Sequence, residues 1–192
     1  MNKIKIILAV LNIPRLLPHI ILYCRMAGGV ISEDIDANQR IVKNHFLAFL
    51  MLMVFKKPFR NLFYHRVGKA KFLISWLCPE YETFVLDTQM KIGSGFGAGH
   101  PFATVVNAKS VGSHFSVYQN VTIGVSNGDK PTIGDNVTIF THCVVIGGIK
   151  IGNNVTIGAG SVIYKDIPDN CIVVGNPARI ICQNGRKVNL KL

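Results

Sequence analysis

Through the second half of the chain an apolar residue recurs every six positions. It falls at Val105, Val111, Val117 and Ile123 and, after a pause, at Ile133, Ile139, Val145, Ile151, Ile157 and Ile163. Glycine follows directly in Ile123-Gly124, Ile133-Gly134, Ile151-Gly152 and Ile157-Gly158. Neither the helical period of about 3.6 nor the strand period of about 2 gives this beat, whereas a stack of short parallel strands with a tight turn after each does. Three such hexads close a triangular coil of about 18 residues. A smaller interior slot is filled by Val121, Val137, Cys143, Ile149, Val155 and Ser161, so Cys143 reads as a small core hydrophobe rather than a nucleophile. The pattern predicts a mainly β solenoid over residues 85–182, recognisable from Ile92-Gly-Ser-Gly95, with a one-residue slip near Thr104 and a strict beat from Val105.

The beat breaks once. Ten positions separate Ile123 from Ile133, so the surplus within Val125-Ser-Asn-Gly-Asp-Lys-Pro131 must leave the coil as a loop, and solenoid loops line functional surfaces. Past Ile163, Lys165-Asp-Ile-Pro-Asp-Asn170 turns off the last coil, Cys171–Val174 forms a terminal strand, and Gly175-Asn-Pro-Ala-Arg179 caps the open end, leaving 183–192 as a tail.

Residues 1–84 carry a helical pattern instead. One helix is predicted from Asp34 to Lys57, capped by Ser32, with Glu33 and Asp34 at the positive end of its dipole and Pro58 at its end. Its run Phe46–Phe55 is apolar on all sides, which calls for burial against the solenoid or another subunit, or for a lipid interface. Arg60–Phe72 is amphipathic and basic and offers a second contact surface. The N-terminus imitates a signal peptide, but Asn12, Pro14, Arg15, Pro18 and His19 interrupt it, and the clean apolar run Phe46–Phe55 is half the length of a membrane span of about 20 residues. No transmembrane helix is predicted.

Charge and cysteine narrow the partners. The formal net charge is +11, and the stretch from Ala37 to Pro79 has no acidic residue but holds Arg40, Lys43, Lys56, Lys57, Arg60, Arg66, Lys69 and Lys71. Such a stretch suits anionic lipid or phosphate-bearing substrates, and without a recognition motif nucleic acid is not expected. Five cysteines with no Cys-x-x-Cys suggest neither a disulfide framework nor a thiolate zinc site. The expected setting is the cytoplasm, with the basic helical region peripheral to the inner face of the membrane.

Three segments carry a resemblance: Ile92-Gly-Ser-Gly-Phe-Gly-Ala-Gly-His100-Pro-Phe-Ala-Thr-Val-Val106; Val121-Thr-Ile-Gly124 with the loop and Pro131-Thr-Ile-Gly134; and Ile157-Gly-Ala-Gly-Ser-Val-Ile-Tyr-Lys165-Asp-Ile-Pro with Gly175-Asn-Pro-Ala-Arg179. Over residues 85–182 they resemble the hexapeptide-repeat acyltransferases, most of all the serine acetyltransferases and their relatives in capsule and colanic-acid synthesis. The resemblance implies a left-handed parallel β-helix preceded by an α-helical region. It further implies homotrimers, alone or paired as a dimer of trimers, with an active site in each cleft between solenoids, acetyl-CoA as co-substrate and no metal.

Acyl transfer to an alcohol needs a base for the hydroxyl proton, and an imidazole with an unperturbed pKa of about 6.5 suits it. By resemblance that base is His100, approached through the small residues Gly97, Ala98 and Gly99. The family orients its histidine with an Asp fifteen residues earlier, where this chain has Val85; Asp87, two residues on, is the substitute candidate. Gly99 stands where the family has a serine-binding Asp, and Asp129-Lys130 stand where it has an Arg-His pair. These losses favour a sugar hydroxyl of a surface polysaccharide as acceptor, with serine O-acetylation in cysteine biosynthesis as the alternative. Thr141 and Ala159 match positions that hold the pantetheine arm, and Lys165 and Arg179 match cations near the adenosine phosphates. Two rival readings remain: a zinc carbonic anhydrase-like enzyme using His100, His114 and His142, although the closely spaced His pair of that group is missing, and a non-catalytic trimeric scaffold.

Overall fold

The computed structural model describes residues 3–26, 28–39 and 41–192. Its helices are α1 (Lys3–Leu11), α2 (Ile13–Met26), α3 (Val30–Asn38), α4 (His45–Phe55), α5 (Lys57–Val67) and α6 (Lys71–Ile74). Sixteen short strands follow: β1 (Phe84–Leu86), β2 (Lys91–Ile92), β3 (Gly97–Ala98), β4 (Thr104–Val106), β5 (Ser110–Val111), β6 (Ser116–Val117), β7 (Thr122–Gly124), β8 (Thr132–Ile133), β9 (Thr138–Ile139), β10 (Val144–Ile146), β11 (Lys150–Ile151), β12 (Thr156–Ile157), β13 (Val162–Ile163), β14 (Cys171–Val174), β15 (Arg179–Gln183) and β16 (Arg186–Lys191).

Every third strand stacks in parallel register, giving three sheets ordered β1-β4-β7-β10-β13, β2-β5-β8-β11 and β3-β6-β9-β12-β14. These are the three faces of a triangular prism. The hexad residues Val111, Val117, Ile123, Ile133, Ile139, Val145, Ile151, Ile157 and Ile163 point into it and are buried, as are the slot residues from Val121 to Ser161. Full burial of one such aliphatic side chain contributes about 1.5–3 kcal/mol. Cys143 lies in this core with its Sγ 3.1 Å from the Gly158 carbonyl oxygen, and burial pushes its thiol pKa up.

Val105 departs from the beat. It points outward, and its neighbours Thr104 and Val106 are buried instead. The cause is at the preceding corner. Between β3 and β4 the chain has two more residues than between β6 and β7, as the registers Gly97↔Ser116 and Val105↔Thr122 require. The one-residue slip near Thr104 is therefore the net of a two-residue corner insertion directly after His100 and a corner one residue shorter between β4 and β5, as the registers Leu86↔Val106 and Ile92↔Val111 show.

At the far end β15 and β16 add antiparallel to β14. The segment expected as a tail is thus largely a strand, and Val188 and Leu192 pack against the solenoid core.

The helical region has its own core. The single helix expected over Asp34–Lys57 is two helices. Gln39 turns extended (φ −157°, ψ 145°), and its Oε1 accepts hydrogen bonds from the amides of Ile41 and Val42. Asn44 then caps α4 by accepting from the Leu47 amide at 2.9 Å. Ser32 caps nothing, because α3 begins at Val30 behind Gly29. The Asn38 side chain bonds forward to the solenoid, donating to the Phe96 carbonyl (2.7 Å) and accepting from the Ala98 amide (3.3 Å). α4 is buried among the other helices through Ala48, Phe49, Leu50, Leu52 and Met53, with Tyr23 stacked on Phe49 at 4.4 Å.

The basic stretch is thinner at the surface than its composition suggests. Arg60 is buried and donates to the carbonyls of Met53, Val54 and Pro79, capping the negative end of α4. Arg66 forks onto Asp34, with Nε–Oδ2 at 2.9 Å and Nη2–Oδ1 at 3.1 Å, and also donates to the carbonyls of Ile92 and Gly93. Lys56 donates to the backbone and side-chain oxygens of Asn38, and burial lowers its pKa to about 8. Lys71 pairs with Glu80, and Arg40 lies outside the described residues. Among the described residues no single helix is long and apolar enough to cross a membrane; α1 and α2 reach the length only together and are bent by 82°.

Candidate active site

Each corner of the prism must reverse the chain sharply, and the left-handed backbone conformation does this. Positive φ appears at Asn120, Asn136, Asn154 and Asn170, and at His100, His114 and His142. Asn and His are among the non-glycine residues that tolerate it best. The corner between β3 and β4 holds His100 (φ 52°), lengthened by Pro101 and Phe102. The His100 side chain is exposed, and among the described residues it forms no side-chain hydrogen bond; its carbonyl accepts from the Phe102 amide at 2.7 Å. Ala98 is buried just before it, and Gly99 sits against the face of Tyr118.

A polar column continues along this edge. Asn120 and His142 occupy the same corner in the next two coils, with Asn120 Nδ2 3.1 Å from His142 Nε2 and Thr141 Oγ1 2.7 Å from His142 Nδ1. Since the Asn120 amide donates to Nε2, this network assigns the His142 proton to Nδ1, directed at Thr141. The Thr141 carbonyl accepts from the Gly160 amide (2.9 Å), beside exposed Ala159. Thr141 and Ala159 therefore share the edge of His100. The sequence reading did not place Asn120 and His142 here; the signal was present in corner positions filled by Asn, His or Gly in successive coils.

Asp87 and Lys130 sit elsewhere. Asp87 follows β1 and Lys130 precedes β8, so both are at the next edge of the prism, and they form an ion pair with each other. The expectation that Asp87 orients His100 is not met within one chain: its carboxylate is occupied by Lys130 and by the Gln89 amide. Burial raises the Asp87 pKa, but the Lys130 and Gln89 hydrogen bonds and the charges of Lys130 and His65 outweigh it, so the net shift is downward. Lys130, expected at the acceptor, is engaged by the same pair. Asp129 is exposed in the loop after β7, which is a tight hairpin: Ser126 and Asp129 exchange backbone hydrogen bonds around Asn127 and Gly128, both at positive φ. Asn-Gly is the standard dipeptide for a two-residue hairpin turn, so this too was readable.

At the end of the solenoid, Lys165 donates to the Leu192 carbonyl (2.9 Å) and Arg179 to Asn189 Oδ1 (2.5 Å), so the C-terminal hairpin holds both cations. The three solenoid histidines do not converge within one chain: His114 stands at the corner between β5 and β6, facing Glu33 of α3 at 3.8 Å, away from the edge of His100 and His142.

Comparison with known proteins fits this architecture. The family model "Bacterial transferase hexapeptide (six repeats)" matches residues 130–165. A serine acetyltransferase of Bacillus subtilis is 31% identical over 176 residues, covering 85% of this chain and 81% of that protein. A serine acetyltransferase of Bacillus pumilus is 41% identical over 106 residues, but there the match spans only 49% of the relative's length. The crystal structure of Neisseria gonorrhoeae serine acetyltransferase superimposes with a TM-score of 0.66 at 25% identity, covering 83% of this chain and 67% of that one. The same enzyme in complex with serine gives 0.64 at 27% identity, covering 78% and 67%. With the stacked hexads and the N-terminal helices in place, the chain belongs to the serine acetyltransferase family of hexapeptide-repeat acyltransferases and folds as its left-handed parallel β-helix.

Proposed function

We propose that the protein transfers acetyl from acetyl-CoA to a hydroxyl acceptor, with His100 as general base. The observation that carries this reading is the His100 corner: an exposed imidazole without a side-chain partner among the described residues, behind a small-residue approach, on the edge that also holds Thr141 and Ala159. The acceptor hydroxyl gives its proton to His100 as its oxygen attacks the thioester carbonyl. A backbone N–H stabilises the resulting oxyanion, the C–S bond breaks, and the CoA thiolate leaves with the proton from His100. Lys165 and Arg179, with Arg186, Lys187 and Lys191 on β16, supply cations for the CoA phosphates. The assembly suited to this chemistry is a homotrimer with His100 facing a cleft between copies.

Serine is the first reading for the acceptor. The sequence favours a polysaccharide sugar, but the relatives described above are serine acetyltransferases, and one was solved with serine bound. A second reading, a sugar hydroxyl, keeps one specific support. A Cβ at Gly99 would lie 2.7 Å from Tyr118 Cε1, so a carboxylate side chain there would have to displace the Tyr118 ring, and Lys130 is neutralised by Asp87. A thiol-release assay with acetyl-CoA against serine, free sugars and lipid-linked glycans separates the two. Turnover with serine alone supports the first, turnover with a glycan alone supports the second, and no thiol release with any acceptor removes both.

A further inference from the structure

The face of α1 turned to solvent is built like a membrane-surface anchor. In Lys3–Leu11 the side chains of Ile7, Leu8 and Leu11 lie at i, i+1 and i+4 on one stripe, 58%, 42% and 69% exposed, whereas Ala9 on the opposite side is fully buried. Lys3 and Lys5 project from the two flanks of that stripe and are exposed. α2 adds Leu17 and Ile21, one turn apart and half exposed, opposite its buried His19 and Tyr23. Arg25, one turn after Ile21, is exposed on the same side of that helix, and no acidic residue precedes Glu33 in the chain.

A nine-residue helix is about 14 Å long, less than half a hydrocarbon core of about 30 Å, and the 82° bend keeps α1 and α2 from forming one span. A short helix with an apolar stripe, basic flanks and no acid is the pattern of one lying in the plane of an interface. We propose that the α1–α2 face docks on an anionic lipid surface, its apolar side chains entering the headgroup boundary and Lys3, Lys5 and Arg25 meeting the lipid phosphates. Charge selects this occupant over a second copy of the chain, because symmetric docking would bring two acid-free basic faces together. The inference moves the lipid contact away from Phe46–Phe55, whose residues Ala48, Phe49, Leu50, Leu52 and Met53 are buried among the helices, and it does not depend on the acceptor.

The test is flotation of the full chain with phosphatidylcholine vesicles, either pure or containing about 30% phosphatidylglycerol. The expected result is binding to the anionic vesicles that weakens with salt. Ile7→Ser/Leu11→Ser should reduce it at least about tenfold, and Lys3→Glu/Lys5→Glu should abolish the preference for anionic lipid. The Ile7→Ser/Leu11→Ser variant should melt with the wild type, because its replaced side chains face solvent. Absence of wild-type binding, equal binding by the serine variant, or a smaller particle in light scattering on Ile7→Ser/Leu11→Ser would overturn the proposal; the last outcome would show that the face joins copies of the chain.

Discussion

Gly99 offers the sharpest test of how the His100 corner is packed. Its constraint is space rather than backbone strain, since its φ is not in the left-handed region. A methyl at this position would sit 2.7 Å from Cε1 and 2.9 Å from Cδ1 of Tyr118. Carbon atoms prefer about 3.5–4.0 Å, so the ring must retreat by about 1 Å. Tyr118 is stacked on Phe140 with centroids 5.1 Å apart and an interplanar angle of 17°. Disturbing such a pair costs about 0.5–1.5 kcal/mol, and overpacking costs about 1–3 kcal/mol. Because Tyr118 is only partly buried and has some freedom to move, Gly99→Ala should cost about 1–2 kcal/mol, a drop in Tm of about 2–8 °C for a chain of this size. Thermal unfolding followed by circular dichroism measures it, with Tyr118→Ala and the double variant completing a cycle. In the Tyr118→Ala background the same substitution should cost less than about 0.5 kcal/mol. A Gly99→Ala protein that melts within about 1 °C of wild type, or an equal loss in both backgrounds, would refute the packing argument.

Other consequences follow from buried polar groups. Tyr64 donates its hydroxyl proton to the Cys78 carbonyl (2.8 Å), so His19 Nε2, 2.7 Å from that hydroxyl, must carry its own proton and leave Nδ1 buried with no partner among the described residues. Burial, then Arg15 and Arg60, lowers the His19 pKa from 6.5 to about 4. The unfolded chain therefore binds the proton first as pH falls, and about 3 kcal/mol of stability should be lost between pH 6.5 and 4; His19→Leu should flatten that slope in denaturant titrations. Asp34→Ala removes the buried partner of Arg66 and the acceptor for the Phe96 amide, and should cost about 3–5 kcal/mol by chemical denaturation. Lys130→Met should raise the Asp87 carboxyl pKa, read by NMR titration, because it removes the hydrogen bond and charge that hold that pKa down.

The solenoid was legible because its signal is a strict period with one residue type at each inward position. Where the period failed, at Val105, a two-residue insertion in the corner before β4 and a one-residue shortening after it had shifted the register, and no local propensity marks such changes. The helix break at Gln39 was hidden for a related reason. It follows from Asn38 bonding to the Phe96 carbonyl and the Ala98 amide about sixty positions away, and from Arg66 and Asp34 tying α5 and α3 to the first coil. Arg60 shows the same limit for charge, since composition counts a cation but not the helix end it caps. His100 is proposed as the base from the motif that surrounds it, whereas the pairing of Asp87 with Lys130 required knowing which edge of the prism each occupies.

The central claim is acetyl transfer from acetyl-CoA with His100 as base, and the direct measurement is the rate of CoA thiol release by wild type and His100→Ala with serine as acceptor. The account predicts acceptor-dependent release by the wild type, a kcat about 100-fold or more lower in the variant, and an unchanged assembly size by light scattering. A variant that turns over at the wild-type rate would contradict it.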